Sequence, residues 1–221
     1  MRVAFGMKAH SGWAALVVVG KRRGGLVPVD RRRIELVEEA WAKQPYHAAE
    51  DLKPDAARDL VERGVEAARR IAVREMRAAV KREQERENEV TACAVLIANP
   101  MPDWSTQEIL AVHFRMHKAE GVLFRDALVR ATEACGLRLV AIPEKLLTTH
   151  AEKALGTPVS SLVKKITALG KSVGRPTGCS GGAERIWQDK EIPPTAGSPE
   201  GWRTLGGCAQ CAHGWGRDHS V

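Results

Sequence analysis

Two histidines and a glutamate lie at helical spacing in the middle of the chain. His113, His117 and Glu120 fall at positions i, i+4 and i+7, so one helix would bring them onto the same face. Imidazole nitrogens and carboxylate oxygens are the ligands of zinc and related metals. The spacing permits a metal site, although His-x3-His recurs by chance and plain buried or exposed histidines are the alternative.

A second candidate group is made of basic residues. It comprises a glycine-flanked turn and an interruption in the strand that follows: Lys21, Arg22 and Arg23, then Arg31, Arg32 and Arg33. Guanidinium groups bind phosphate oxygens in pairs, so these residues predict contacts to a nucleic-acid backbone. An edge strand protected by its charge explains the same pattern.

The distribution of charge points to the same class of partner. The 221-residue chain carries a net charge of +7, and residues 175–221 hold five basic and five acidic side chains. The excess therefore lies in residues 1–174, and a basic folded body favours polyanions. No apolar run approaches the roughly 20 residues that span a bilayer. Because no signal peptide is recognisable either, we expect a cytoplasmic protein without a membrane partner.

The elements that must position these residues alternate between strands and helices. Strand-like runs occupy Arg2–Met7, Trp13–Val19, Val27–Val37, Val90–Ala98 and Leu137–Ile142. The first three are joined by short turns, which predicts an antiparallel meander. Glu38–Lys53 is expected to be an ordered crossing loop, and an amphipathic helix begins near Pro54. Thr157 and Pro158 are predicted to start a last helix.

The helix that organises the chain is predicted over Ser105–Cys135. Ser105 and Glu108 form a capping box at its start, and Gly136 is placed to end it. Gly121, inside the helix, suggests that another backbone passes close by. One apolar line is expected to face the core: Ile109, Val112, Met116, Ala119, Leu123 and Ala127.

Together these elements predict an α/β fold with a mixed five-stranded sheet. Three strands are antiparallel, two are parallel, and helices flank the sheet. Cys93 and Cys135 lie in apolar surroundings, which indicates buried thiols rather than disulfides.

The element order resembles the ribonuclease H-like fold, and its details resemble the Holliday-junction resolvase (RuvC-like) branch. Three segments carry the resemblance: the turn His10-Ser11-Gly12-Trp13, the helical Lys118-Ala119-Glu120-Gly121-Val122, and the turn Leu169-Gly170-Lys171. The resemblance covers roughly residues 1–175 and implies hydrolysis of phosphodiesters with two Mg²⁺ or Mn²⁺ ions. It also implies acids on the first strand, after the fourth strand and on the last helix.

The chain departs from that pattern at each acidic position. Lys8 stands on the first strand, the fourth strand ends without an acid at Asn99, and the last helix carries Lys164 and Lys165. The nearest carboxylates are Asp103 and Glu144. Either the scaffold uses other polar groups, or the chain is a non-catalytic relative. Under the first alternative the candidate catalytic residues are Lys8, His10, Asp103, Glu120 and Glu144.

The function expected from these observations is action on nucleic acid, as a divergent structure-specific nuclease. The alternative is a non-catalytic nucleic-acid-binding or scaffolding protein. A transition metal on His113 and His117 is the alternative to Mg²⁺ or Mn²⁺, and a homodimer is left open. A third alternative is an enzyme acting on a small substrate through His10 and the histidine helix.

The composition changes after Arg175. Residues 176–221 are rich in glycine, proline, cysteine and tryptophan and show no periodicity, so we expect a poorly ordered tail behind a domain of residues 1–175. An altered reading frame would explain the missing last helix. A zinc knuckle is the other interpretation, with the ligands Cys179, Cys208, Cys211, His213 and His219.

Overall fold

One five-stranded sheet carries the fold, with the strand order β3-β2-β1-β4-β5. The computed structural model describes residues 1–156 and 158–172. Within them β1 pairs antiparallel with β2 and parallel with β4, β2 pairs antiparallel with β3, and β4 pairs parallel with β5. The strands are β1 (Arg2–His10), β2 (Trp13–Arg22), β3 (Gly25–Glu35), β4 (Glu89–Ile97) and β5 (Arg138–Pro143). The predicted mixed five-stranded α/β sheet, with its antiparallel and parallel strands and flanking helices, is confirmed.

Helices connect and cover the strands. They are α1 (Pro45–Ala48), α2 (Pro54–Glu85), α3 (Thr106–Leu110), α4 (His113–Ala134), α5 (Leu147–Leu155) and α6 (Ser160–Ser172), with short 3-10 turns at Trp41–Lys43 and Glu144–Leu146. The long helix α2 begins with Pro54 in its first turn, as predicted. Among these described helices, each is too short or too polar to cross a bilayer.

The core lies between one face of the sheet and the pair α2 and α4. Alternate residues of β1 and β2 point into it, which is the period of two that a strand imposes. The largest side chains of this cluster include Phe5, Leu16, Met76, Phe124 and Leu128. The other face of β1 carries Lys8, which is exposed. α6 lies against β3.

The turn between β1 and β2 depends on a glycine. Gly12 has a φ of +79°, in the left-handed region that side chains disfavour. A Cβ placed there would lie 2.7 Å from Lys43 Cγ and 2.9 Å from Val37 Cγ2. The carbonyl of Gly12 also accepts a hydrogen bond from the Leu36 amide at 2.8 Å. The hairpin is therefore fixed where β1 delivers its last polar residues.

The prediction of one continuous helix over Ser105–Cys135 was wrong. The capping box of Ser105 and Glu108 is present, but α3 ends at Leu110 and α4 begins at His113. Val112 between them is extended, with φ −141° and ψ 112°, and is 41% exposed rather than in the core. A β-branched residue favours helix less than its neighbours do, which suits a break at this position.

Two smaller expectations also differ from the structure. The crossing segment after β3 contains a helical turn and α1 rather than a loop alone, and α5 was not predicted. The glycine at 121 does not mark a passing backbone, because the nearest atom to a Cβ there is Arg125 Nη1 at 3.3 Å. The predictions for residues 173–221, including the poorly ordered tail and its zinc knuckle, lie outside the described residues. Cys93 and Cys135 are free thiols, as predicted; Cys93 is buried, whereas Cys135 is only half-buried. Burial raises the pKa of Cys93 to about 11.

Candidate functional site

The carboxyl ends of the parallel strands bring four polar side chains together, which we name the strand-end cluster: Lys8, His10, Arg125 and Glu144. Lys8 comes from β1, and Glu144 follows β5 directly. Lys8 Nζ lies 2.7 Å from Glu144 Oε1, and Arg125 Nη2 of α4 lies 3.5 Å from Glu144 Oε2. Parallel strands end at one edge of a sheet, and this places the two sequence-distant groups in contact.

The charges of the cluster set the protonation of its members. A hydrogen bond and charge from Lys8, aided by Arg125, lower the pKa of Glu144. Burial and then the positive charge of Lys8 lower the pKa of His10, although Glu144 opposes this effect. His10 therefore favours its neutral form. Its ring stacks on Trp13 with 4.0 Å between centroids, and Arg33 lies 4.3 Å from the same Trp13 ring.

The donors in this cluster do not fit a pair of divalent ions. Two Mg²⁺ ions require several oxygen ligands, and bridging carboxylates in particular. The cluster offers one carboxylate, Glu144, which is held between two cations. Asp103 lies in the exposed loop after β4 and has no ion pair or hydrogen bond within residues 1–156 and 158–172. The structure does not bring Asp103 or Glu120 into contact with Glu144.

The ion pair predicts a pH-dependent contribution to stability. Because the folded-state pKa of Glu144 is lowered, its contribution is present at neutral pH and is lost as the pH falls through that pKa. Glu144→Gln should lower the free energy of unfolding at pH 7 by less than about 1 kcal/mol, since both partners are more than a third exposed. Urea denaturation should show this difference shrinking as the pH falls below the ordinary glutamate pKa of about 4.3 and vanishing once the pH is below the lowered folded-state pKa.

The control for this prediction is Glu152→Gln, which removes an exposed glutamate of α5. Its effect on the free energy of unfolding should be close to zero at pH 7 and at acidic pH. A loss in Glu144→Gln that grew on acidification would contradict the assigned direction.

A second group of side chains lies where α1 approaches the start of α4, and we name it the histidine cluster: His47, His113 and His117. Their candidate ligand atoms all lie within 4.8 Å of one another. The Nε2 atoms of His113 and His117 are 3.0 Å apart. His113 and His117 were expected to share one helix face, and α4 places them so; His47 was not predicted as a partner.

Glu120 stands behind this cluster rather than within it. It is 5% exposed, although it does not belong to the apolar line that was expected to face the core. Its Oε1 lies 2.9 Å from His47 Nδ1 and accepts the His47 backbone amide at 3.3 Å. Glu120 thus contacts an imidazole of the cluster, and its role as a direct metal ligand stays a prediction.

The basic turn between β2 and β3 lines an open groove of about 770 Å³, which we name the basic groove. Lys21, Arg22 and Arg23 contribute exposed side chains, and Arg86 lies at the end of α2. The groove also includes the terminal ammonium of Met1, which donates to the Glu87 carbonyl at 2.8 Å. It lies at the opposite end of β1 from the strand-end cluster.

The second basic run does not form one surface. Because residues of a strand alternate between faces, Arg31 and Arg33 lie on one face and Arg32 on the other. Arg32 pairs with Asp30, and Asp30 also lies 3.4 Å from Arg86. Arg33 pairs with Glu35 at 2.5 Å. Neighbouring carboxylates therefore partly neutralise Arg32 and Arg33.

The sequence did not predict three residues of these candidate sites, which are Arg125, His47 and Arg86. Arg125 had a weak signal, since it lies one helical turn after Gly121 and donates to that glycine's carbonyl. His47 stood in a segment expected to be ordered, but only the fold brings it to α4. Arg86 reaches the groove because β1 and β4 pair in parallel and carry the end of α2 to the first residue.

No family model and no curated protein matches the chain. Solved structures with a similar course include RuvC of Thermus thermophilus in complex with a Holliday junction substrate, at 14% identity over 80% of this chain and 85% of that one, with a TM-score of 0.39. A second RuvC structure from Thermus thermophilus has 13% identity over 79% and 85%, with a TM-score of 0.40. A Ppx/GppA family member of Aquifex aeolicus has 14% identity over 69% and 39%, with a TM-score of 0.34.

Proposed function

We propose that this chain binds nucleic acid through the basic groove and is a non-catalytic relative of the resolvase-like enzymes. The observation that carries the proposal is the state of the cations in the groove. Lys21, Arg22 and Arg23 are exposed and have no carboxylate partner in the described part of the chain. Unpaired cations around an open groove are available to phosphates, whereas most other arginines of the fold are held in ion pairs.

Chemistry at the strand-end cluster supports the non-catalytic half of the proposal. A two-metal phosphodiesterase places carboxylates about both ions so that attacking and leaving oxygens are stabilised. Here Lys8 stands where the resemblance implies the first acid, and it binds the remaining carboxylate of Glu144. An ammonium in contact with that carboxylate repels a divalent ion at the same place.

Removing the groove's cations should weaken binding to nucleic acid. Replacing Lys21, Arg22 and Arg23 together by alanine should reduce affinity tenfold or more at low salt and lower the slope of log affinity against log salt by about 2–3. Fluorescence anisotropy with labelled duplex, four-way-junction and single-stranded DNA and RNA measures both quantities. The resolvase-like motifs make the junction the first ligand to test.

A matched control removes the same charge elsewhere on the protein. Lys53, Arg63 and Arg70 are exposed residues of α2 and its N-cap without an ion pair in the described part of the chain, and their triple alanine variant should keep nearly the wild-type slope. Equal losses in the two triple variants would indicate a charge effect without a site. The same samples incubated with Mg²⁺ or Mn²⁺ test the competing nuclease function; cleavage abolished by Glu144→Gln would overturn the non-catalytic assignment.

A further inference from the structure

We infer that the histidine cluster is a transition-metal site, with His47, His113 and His117 as ligands and Glu120 as the residue that orients His47. This inference is independent of nucleic-acid binding, because the cluster shares no residue with the basic groove. It depends on four observations: the separation of the nitrogens, the contact of Glu120, the chemistry of the donors and the exposure of the site.

The separations suit one ion. In a tetrahedral zinc site with Zn–N bonds of about 2.0–2.1 Å, ligand nitrogens lie about 3.3 Å apart. His113 Nε2 and His117 Nε2 are 3.0 Å apart, and the candidate atoms of all three residues lie within 4.8 Å. Small rotations of imidazole rings cover the remaining difference. The three rings also contact one another, with His47 and His117 each at an edge-to-face or tilted angle to its neighbours.

Glu120 has the position of an orienting residue in a metal site. Histidines that bind metal commonly donate their other ring nitrogen to a carboxylate, which fixes the tautomer and makes the ligand more basic. Glu120 Oε1 lies 2.9 Å from His47 Nδ1. If Nδ1 donates to this carboxylate, the Nε2 atom of His47 carries the lone pair that can bind a metal. The carboxylate is buried and also holds the His47 backbone amide at 3.3 Å, so the ring has a defined direction. Its negative charge favours a cation next to His47.

The site is bounded by buried apolar side chains on one side and is open to solvent on the other. Ile109, Met116 and Ala119 form a buried apolar cluster beside it, with Tyr46 packed against them. His113 and His117 are exposed, so a fourth position faces solvent. Three histidines with an open position are the arrangement of metal sites that bind water or an anion.

The donor set selects the class of metal. Neutral imidazoles suit Zn²⁺, Co²⁺, Ni²⁺ and Cu²⁺, while Mg²⁺ and Ca²⁺ require oxygen ligands. We take Zn²⁺ as the physiological ion and Co²⁺ as its spectroscopic substitute. A bound ion would connect α1 to α4 across a long stretch of chain, and so it would also raise the thermal midpoint of unfolding.

The test uses the full chain, stripped with a chelator and titrated with Zn²⁺ in competition with a chromophoric indicator. The wild type should bind one equivalent, show the visible bands of tetrahedral cobalt with Co²⁺, and melt at a higher temperature with zinc. His47→Gln and His117→Gln should each weaken binding at least 100-fold. Glu120→Gln should weaken it 10- to 100-fold while the stoichiometry stays at one.

Two controls separate this site from others. His150→Gln removes an exposed histidine of α5 and should bind zinc like the wild type. Cys208→Ser with Cys211→Ser removes the cysteine pair of the tail and should leave the cobalt bands unchanged. Circular dichroism of each metal-free variant checks that it folds. The inference is overturned if the wild type fails to retain zinc against the indicator, or if His47→Gln with His117→Gln still binds one equivalent at wild-type affinity.

Discussion

Truncating Phe124 to alanine should lower the free energy of unfolding by about 3–5 kcal/mol, one of the largest effects of any single substitution in this chain. Phe124 is 2% exposed on α4 and belongs to the cluster that joins the sheet to α2 and α4. Its removal leaves a cavity that other members of this cluster, such as Phe5 and Leu128, cannot fill without moving. Urea denaturation followed by circular dichroism measures the loss.

The same helix provides the control. Phe114 lies ten residues earlier on α4 and is 72% exposed, so Phe114→Ala removes the same atoms from water rather than from the core. Its effect on the free energy of unfolding should stay within about 0.5 kcal/mol. Equal losses in the two variants would contradict the assignment of α4's buried face.

The sheet could be predicted because its signals are local. β-branched runs bounded by glycine turns marked β2 and β3, and a short apolar run without helical length marked β4. The hairpins and the right-handed crossovers leave few orders for five such strands. Strand direction therefore followed from patterns that each occupy about ten residues.

The break between α3 and α4 could not be predicted in the same way. The apolar period runs through Val112 without interruption, and the residue becomes extended only in the folded chain, where it is exposed. α1 is a single turn of four residues, which is too short for a period to mark. Both features depend on tertiary packing, which overrides a weak local preference.

The two candidate sites differ in how far the sequence could predict them, and the reason is the same. Contact between Lys8 and Glu144 could be anticipated, because parallel strands end at one edge and both residues lie at strand ends. The proximity of His47 to His113 and His117 could not be anticipated, because the crossing segment has no periodicity that would define its path. Helical spacing alone grouped Glu120 with the ligands, whereas burial places it behind them.

Glu83→Ala should lower the free energy of unfolding by about 3 kcal/mol. Glu83 is 1% exposed in the last turn of α2, where the helix dipole disfavours a carboxylate. Two donors offset this cost: Asn88 Nδ2 at 2.8 Å and Arg86 Nη1 at 3.0 Å. Alanine leaves the Asn88 amide buried without its acceptor and leaves a cavity beside it. Urea denaturation of the variant measures the loss.

Matched substitutions separate the lost hydrogen bonds from the lost charge. Glu85→Ala removes an exposed carboxylate two residues away and should change the free energy of unfolding by less than about 0.5 kcal/mol. Glu83→Gln keeps the volume and one acceptor, so it should cost about 1 kcal/mol. Wild-type stability in Glu83→Ala would show that this carboxylate does not hold the end of α2 to β4.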